Sequence, residues 1–497
     1  MTTLRQARAV ARATLSLWVR EVARLLGTSV RTVVAGVVVA VALAAVLGLA
    51  LAVVAGAQLD GALPVDMRFA IVRTSFASAA LTAGAVAVIL SLSLPPRTAL
   101  QNLLDLLPVA RTAARLGQFA PILLVGGIYS LALTSTSVVV LLRTSVSPGE
   151  SIAGIALFLV LLAISLLLAA ALFALLQVAA LRLFRLPSSY AATVAGVLSL
   201  AAVIAVSAPD ILAMQSALAV SWGAAELTPS RILARLATAP SFAVGVAGAG
   251  WASLAAVLFW SAARLHVPAA RNRSILLFRR TSPPRRTPWW GLFWSETLTA
   301  IRNPQFVITA MLLPFAIVAV ALLTLVPNAT PIVPGIAGAL PVLPFMLGLY
   351  AVGRTLRARW IPTLVTARRA VWIVPAALAQ TAVSAAFAVA ALGAVVLLGL
   401  LPAVQVPDVL LRCALASAVA LAGGALVPYS EQQPLSVTAG GFLVGTLYAL
   451  TSLGIGWAAE NAAPGTDRVL VVAAIVAFAG LYALAALRQS VREPARA

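Results

Sequence analysis

Between Val33 and Ala57 the chain reads VVAGVVVAVALAAVLGLALAVVAGA, without one charged or hydrogen-bonding side chain. A helix needs roughly 20 such residues to cross the hydrocarbon core of a bilayer, and in lipid the backbone must satisfy its own N–H and C=O groups. This run therefore predicts a membrane-spanning helix. It is too long, and starts too far from Met1, for the apolar core of a signal peptide, so it reads as a retained span. Comparable runs recur to the end of the chain. With 62% hydrophobic and only 9% charged residues in 497, no soluble core could cover so much apolar surface.

The pattern predicts an all-α polytopic membrane protein with about twelve spans. They fall near 33–57, 70–94, 119–142, 153–180, 190–208, 241–263, 305–326, 336–353, 371–400, 409–428, 435–457 and 469–487. All 34 basic residues are Arg, which with the Ala and Val excess points to a GC-rich coding genome. With both termini in the cytoplasm, 27 of the 34 arginines lie inside, and seven lie outside against eight acidic residues. That asymmetry follows the positive-inside rule and orients the chain. It also accounts for the net charge of +21 without nucleic acid as a partner.

Comparing the loops reveals an internal repeat. LSLWVREVARLLGTSVRTVV and WWGLFWSETLTAIRNPQFVI each place Trp just before Glu (Trp18 and Glu21; Trp294 and Glu296) and lead into a long span. DLLPVARTAARLGQFAP resembles IPTLVTARRAVWIVP, and LPSSYAATVAGV resembles SEQQPLSVTAGG. The offsets, 275, 257 and 244 residues, decrease steadily, as a duplication with shorter loops in its second copy would produce. The expected organisation is a first six-span half at 1–265, a basic cytoplasmic linker at 266–288, and a second half at 289–497 in parallel orientation.

Three segments stand out from the spans. In the first, Trp290, Phe293, Trp294, Thr297, Leu298 and Ile301 share one helical side, opposite Ser295, Glu296, Thr299 and Arg302. Such a helix is expected along the cytoplasmic interface, aromatics at headgroup level, and Leu15, Trp18, Val22 and Leu25 predict a similar one before the first span. In the second, the 95–118 loop, Leu100, Leu103, Leu104 and Leu107 oppose Gln101, Asn102 and Asp105, with Pro96 at a helix start. Its counterpart, GRTLRARWIPTLVTARRAVW, carries Arg354, Arg357, Arg359, Arg368 and Arg369. A short amphipathic helix at the end of a hairpin can dock on another protein, or its arginines can attract anionic lipid. The third, Asp210 to Pro240, reads as short helices on or dipping into the outer leaflet, either a gate or a packed cap.

Several chemistries lose support. No acidic residue is expected deep in a span, where a charge costs roughly 2.5–3.5 kcal/mol on insertion scales and is kept for a function. One His (His266, in the linker) and one Cys (Cys413, in an apolar run) cannot build a metal site of N and S ligands or a disulfide framework. A Walker A loop needs Lys, which the chain lacks.

An amphipathic Trp-Glu helix before six spans, LLDLLPVAR after the second span, and an outer segment before the sixth resemble the permease subunit of ABC type-2 exporters. The resemblance covers essentially the whole chain as two fused copies. It implies that Asn102, Leu104, Asp105, Pro108 and Arg111 belong to a first coupling helix, and Arg359, Thr363, Thr366 and Arg368 to a second. It implies elbow helices carrying Trp18, Glu21, Trp294, Glu296 and Arg302. It further implies two separate ATPase subunits, a homodimer, which hold ATP and Mg while this chain binds no cofactor and is not itself an enzyme. An amphiphilic substrate (drug, peptide or lipid-like) would pass between the halves, in a bacterial plasma membrane. The second half departs from the pattern, since only AENAAPGTDR joins its last two spans. The alternative is a proton-coupled twelve-span drug antiporter, whose Gly-Asp-Arg loop after the second span is absent here.

Overall fold

A computed structural model of the chain describes residues 3–26, 28–56, 64–93, 107, 109–212, 227–265, 287–324, 333–353, 370–428, 434–460 and 465–492. Of the described residues 90% are helical, and none lies in a strand. Nine described helices are long and apolar enough to cross a membrane, and shorter apolar helices accompany them. This is the architecture of an all-α, multi-pass membrane protein. The chain divides into two compact units, Met1–Asn272 and Arg273–Ala497.

The first unit comprises α1 (Thr3–Leu26), α2 (Val30–Gly56), α3 (Val65–Ser93), α4 (Arg111–Leu133), α5 (Ser135–Thr144), α6 (Pro148–Arg182), α7 (Ser188–Leu212), α8 (Pro229–Thr238) and α9 (Phe242–Arg264). Its core is an α3–α6–α7 layer. Phe76, Ala79, Ala83 and Ala87, at spacings of three and four, form the buried stripe of α3. Phe76 meets Phe158 of α6 with ring centroids 6.0 Å apart. Without a hydrophobic drive between helices in lipid, such alanines allow the close backbone approach that holds them together. At 35 residues, α6 is about 52 Å long, well beyond the roughly 30 Å hydrocarbon core. Ser147 starts it as an N-cap, accepting from the Glu150 N–H at 3.3 Å, while the Glu150 carboxylate accepts from the Val146 N–H at 3.0 Å.

The third span differs from expectation at both ends. Helix begins at Arg111, inside what reads as loop, and breaks at Thr134, separating α4 from α5. The break coincides with the hydroxyl run Thr134–Ser137. There the Thr134 hydroxyl bonds back to the Ser130 carbonyl at 2.6 Å, and such side chains compete with the helical backbone.

The second unit comprises α10 (Pro288–Ile301), α11 (Pro304–Leu323), α12 (Val333–Ala339), a 3-10 helix (Leu340–Tyr350), α13 (Ile373–Leu397), α14 (Val406–Leu426), α15 (Pro434–Glu460) and α16 (Thr466–Arg492). Its central element is α14, whose Ala416, Val419, Ala420 and Ala422 are fully buried. Here the expected 336–353 span is a short α-helix continued as 3-10. Pro341 and Pro344 supply the reason, since neither can donate the N–H that an α-helix requires. The Ser384 hydroxyl of α13 donates to the Pro344 carbonyl at 2.9 Å. A Cβ on Gly424 would stand 2.6 Å from the Leu349 carbonyl oxygen, so only glycine lets α14 cross the 3-10 helix this closely.

Candidate functional site

Two regions carry the polar chemistry. The first is the linker end of the first unit, where α1 and the start of α4 meet. The Ala110 N–H donates to the Gln6 side-chain carbonyl at 3.3 Å, and Arg111 follows as the exposed first residue of α4. Arg115, one turn on, donates to the carbonyls of Ala262 at 3.1 Å and Leu265 at 2.7 Å. A guanidinium there satisfies backbone acceptors left open at the end of α9 and complements that end's negative dipole. Asn102, Leu104, Asp105 and Pro108, and likewise Arg359, Thr363, Thr366 and Arg368, lie outside the described residues. Of the first predicted coupling helix, Arg111 alone is among the described residues, as the first residue of α4.

The helices preceding the first long span of each unit are docked on protein. Helix α1 packs along α4, and a Cβ at Gly117 would stand 2.5 Å from Val10 Cβ and 2.7 Å from the Ala7 carbonyl oxygen. Trp18 is only 5% exposed, so this aromatic is packed inside the protein. Glu21 lies on α1, its side chain outside the described residues. Helix α10 packs along α13. Thr287 caps it by accepting from the Trp290 N–H at 3.4 Å, with Pro288 at the first helical position. Trp289, Trp290 and Phe293 gather at this end, Trp289 stacked on Phe293 at 5.7 Å, and both tryptophans are exposed. Trp294 is half-buried with its indole N–H turned inside, Glu296 is half-buried, and Arg302 closes the helix by donating its N–H to the Leu298 carbonyl at 2.9 Å.

The second region lies at the opposite end of the first unit, around α8. Six of its residues, Pro229 to Ala234, are buried, and it packs against α3, α6 and α9. The described part of the outer segment is thus a packed element, not helices lying on a leaflet. Both of its ends are held. At the N-terminus, Asp210 Oδ2 accepts from the hydroxyls of Thr228 at 2.9 Å and Ser230 at 2.8 Å. At the C-terminus, Arg68 donates to the Thr238 carbonyl at 3.1 Å and pairs with Glu150 at 3.5 Å. A negative group at the start and a positive one at the end both suit the helix dipole. The Trp251 indole N–H donates to the Leu227 carbonyl at 2.8 Å and fixes the approach to α8.

Asp210 is 2% exposed and Arg73 is 7% exposed, with Arg73 Nε 3.9 Å from Asp210 Oδ1. The expectation that no acidic residue lies deep in a span still stands here, because Asp210 sits in the last turn of α7, beyond its apolar stretch Tyr190–Ala208, but the structure buries it where the sequence reads as loop. Assigning it to the loop beginning at 210 concealed it. A signal was available: four arginines, 68, 73, 231 and 235, fall on the side that the charge asymmetry keeps poor in arginine. Among the described residues no cluster of His, Cys, Asp and Glu is arranged to hold a metal ion. The region is built to position charges. No protein-family model matches the chain, and no curated protein shows significant similarity to it.

Proposed function

We propose that the chain is the transmembrane subunit of an ATP-driven exporter resembling the ABC type-2 kind, two repeats fused in one chain. It would form the path for an amphiphilic substrate and draw energy from two separate ATPase subunits that carry ATP and Mg. In this reading it resides in a bacterial plasma membrane with both termini cytoplasmic, and its lipid-facing surface is the bilayer contact.

The observation that carries the reading is a shared packing pattern within each unit. A helix before the first long span lies along the helix that follows the second-span loop: α1 on α4, α10 on α13. The second-span element packs on the fourth-span helix in each unit (α3 on α6, the 3-10 helix on α14), and that helix packs on the last one (α6 on α9, α14 on α16). In both units the loops proposed to couple, ending at Arg111 and before Ile373, lead directly into the helix that holds the elbow. Motion imposed on the loop would reach the elbow and the span together.

One observation favours the proton-coupled alternative, the buried Asp210, since membrane-buried carboxylates serve proton transfer in many transporters. Its oxygens, however, are engaged by Thr228, Ser230 and Arg73, as befits a fixed counter-charge.

A single experiment separates the two. The full chain is purified from its native host and assayed for ATP hydrolysis and, in vesicles, for export. The expected outcome is no hydrolysis by the chain alone, an ATP-binding subunit recovered with it, and export that survives collapse of the pH gradient at constant ATP. Repeated recovery without an ATPase, or export abolished with the gradient, would sink the proposal.

A further inference from the structure

Helix α1 carries two unlike faces. Ala7, Val10, Thr14 and Trp18 are buried, on the side that packs along α4. Arg5, Arg8, Arg12 and Arg20 are exposed on the opposite side, with Ser16 among them. Arg5 and Arg20 are about 22 Å apart along the helix axis. No acidic residue occurs between Thr3 and Arg20, and none of the four arginines pairs with a carboxylate among the described residues. Like charges three and four positions apart repel, and Arg5 in the first turn opposes the helix dipole. This face costs the helix stability on its own, and a negatively charged partner would offset that cost.

The connection to α2 says where that partner lies. The Thr28 N–H donates to the Ala23 carbonyl at 2.9 Å, and Ser29 caps α2 by accepting from the Thr32 N–H at 3.2 Å. Helix α1 is thus tied closely to a helix that has no charged side chain from Val33 to its end and exposes Val34, Val37 and Val38, as suits lipid. Phosphate headgroups lie where such a helix enters hydrocarbon. The arginine face also lacks what a protein partner uses. Besides arginine it exposes Ala9, Ala13 and Ser16, with no aromatic anchor, whereas the cores of protein interfaces are depleted in charge and rich in aromatics. A layer of anionic headgroups needs no pocket, and arginines spread along a helix can each engage a different phosphate.

We propose that the arginine face of α1 docks on a surface of anionic lipid headgroups, with Arg5, Arg8, Arg12 and Arg20 each on a separate phosphate. The packing of α1 on α4 then joins the lipid charge of the adjacent leaflet to the first unit. This docking needs neither an ATPase nor a transported substrate, so it stands apart from the exporter reading.

The test uses the full-length protein in vesicles, with a fluorophore at Ser16→Cys in a Cys413→Ser background. A trace of phosphatidylcholine spin-labelled on its headgroup quenches the fluorophore on contact. Vesicles of phosphatidylcholine alone are compared with vesicles in which phosphatidylglycerol replaces part of it, at low and at high salt. Phosphatidylglycerol should raise quenching about twofold at low salt, and high salt should return it to the phosphatidylcholine level. Arg5→Gln, Arg8→Gln and Arg12→Gln together should remove the rise. A fluorophore at Val404→Cys, an exposed position of the second unit, should show none. Where the triple variant does not insert, the salt dependence of the parent protein decides. Equal quenching in the two kinds of vesicle overturns the proposal and leaves the face to an acidic protein surface. A rise that high salt does not reverse, or one that persists in the inserted triple variant or appears equally at Val404, overturns it as well.

Discussion

At position 117 a single hydrogen atom determines how closely two helices meet. Any side chain there runs into Val10 and into the Ala7 backbone carbonyl, so the docking of α1 on α4 depends on glycine. Gly117→Val should lower the thermal midpoint by the equivalent of about 1–3 kcal/mol, the usual range for overpacking. Adding Val10→Ala should recover only part of that loss, because the Ala7 carbonyl belongs to the backbone and cannot be trimmed. An unchanged midpoint in Gly117→Val would mean that α1 does not dock here. Little of this was legible beforehand, since Gly117 sits in a stretch that reads as loop. Arg115 shows the same limit. Its partners, the carbonyls of Ala262 and Leu265, are nearly 150 residues away in sequence, and backbone carbonyls leave no mark in a sequence pattern. Asp210 and Arg73 were hidden differently. Each is a charged residue close to the end of an apolar run, where exposure is the ordinary expectation, and only packing of α8 over them makes them buried.

Among the elements, the 3-10 helix of the second unit departs furthest from what apolar periodicity predicts. Eleven residues at about 2.0 Å each span roughly 22 Å, whereas the same residues as α-helix would span about 16 Å. Pro341 and Pro344 hold the longer form by withholding donors, and the Ser384 hydroxyl occupies the Pro344 carbonyl. Pro341→Ala with Pro344→Ala should therefore shift the segment towards α-helix. Spin labels at Gly335 and Gly353, in a Cys413→Ser background, should then approach one another by about 3–5 Å. An unchanged distance would mean that packing against α14, at the Gly348 and Gly424 crossing, holds the 3-10 form without the prolines. By contrast, most spanning elements were legible to within a few residues, among them 241–263 against Phe242–Arg264 and 409–428 against Val406–Leu426. A long apolar run in lipid has no alternative to a helix, so its type needs no tertiary information.

For the whole molecule, the proposed exporter reading turns on the loops proposed as couplers. They carry opposite charges at Asp105 and Arg368, and the first is anchored beside Gln6 and Arg115 at its end. Asp105→Arg together with Arg368→Glu should reduce both transport and substrate-stimulated ATP hydrolysis by partner subunits while leaving membrane insertion intact. Surface charge pairs contribute mainly to recognition and little to stability, so the effect should fall on coupling. Unchanged stimulation would remove these loops from the energy path.

By itself the sequence determined the class of this protein. Runs of uncharged Ala, Val and Leu can satisfy their backbones in lipid only as helices, and that follows from composition and length alone. Only the tertiary structure decided which polar groups are buried. Burial of Arg73, Asp210 and the ends of α8 is a property of residues 20 to 170 positions apart closing over one another. No local pattern of residues encodes that closure, because a charge near the end of a span looks the same whether water or another helix lies beyond it.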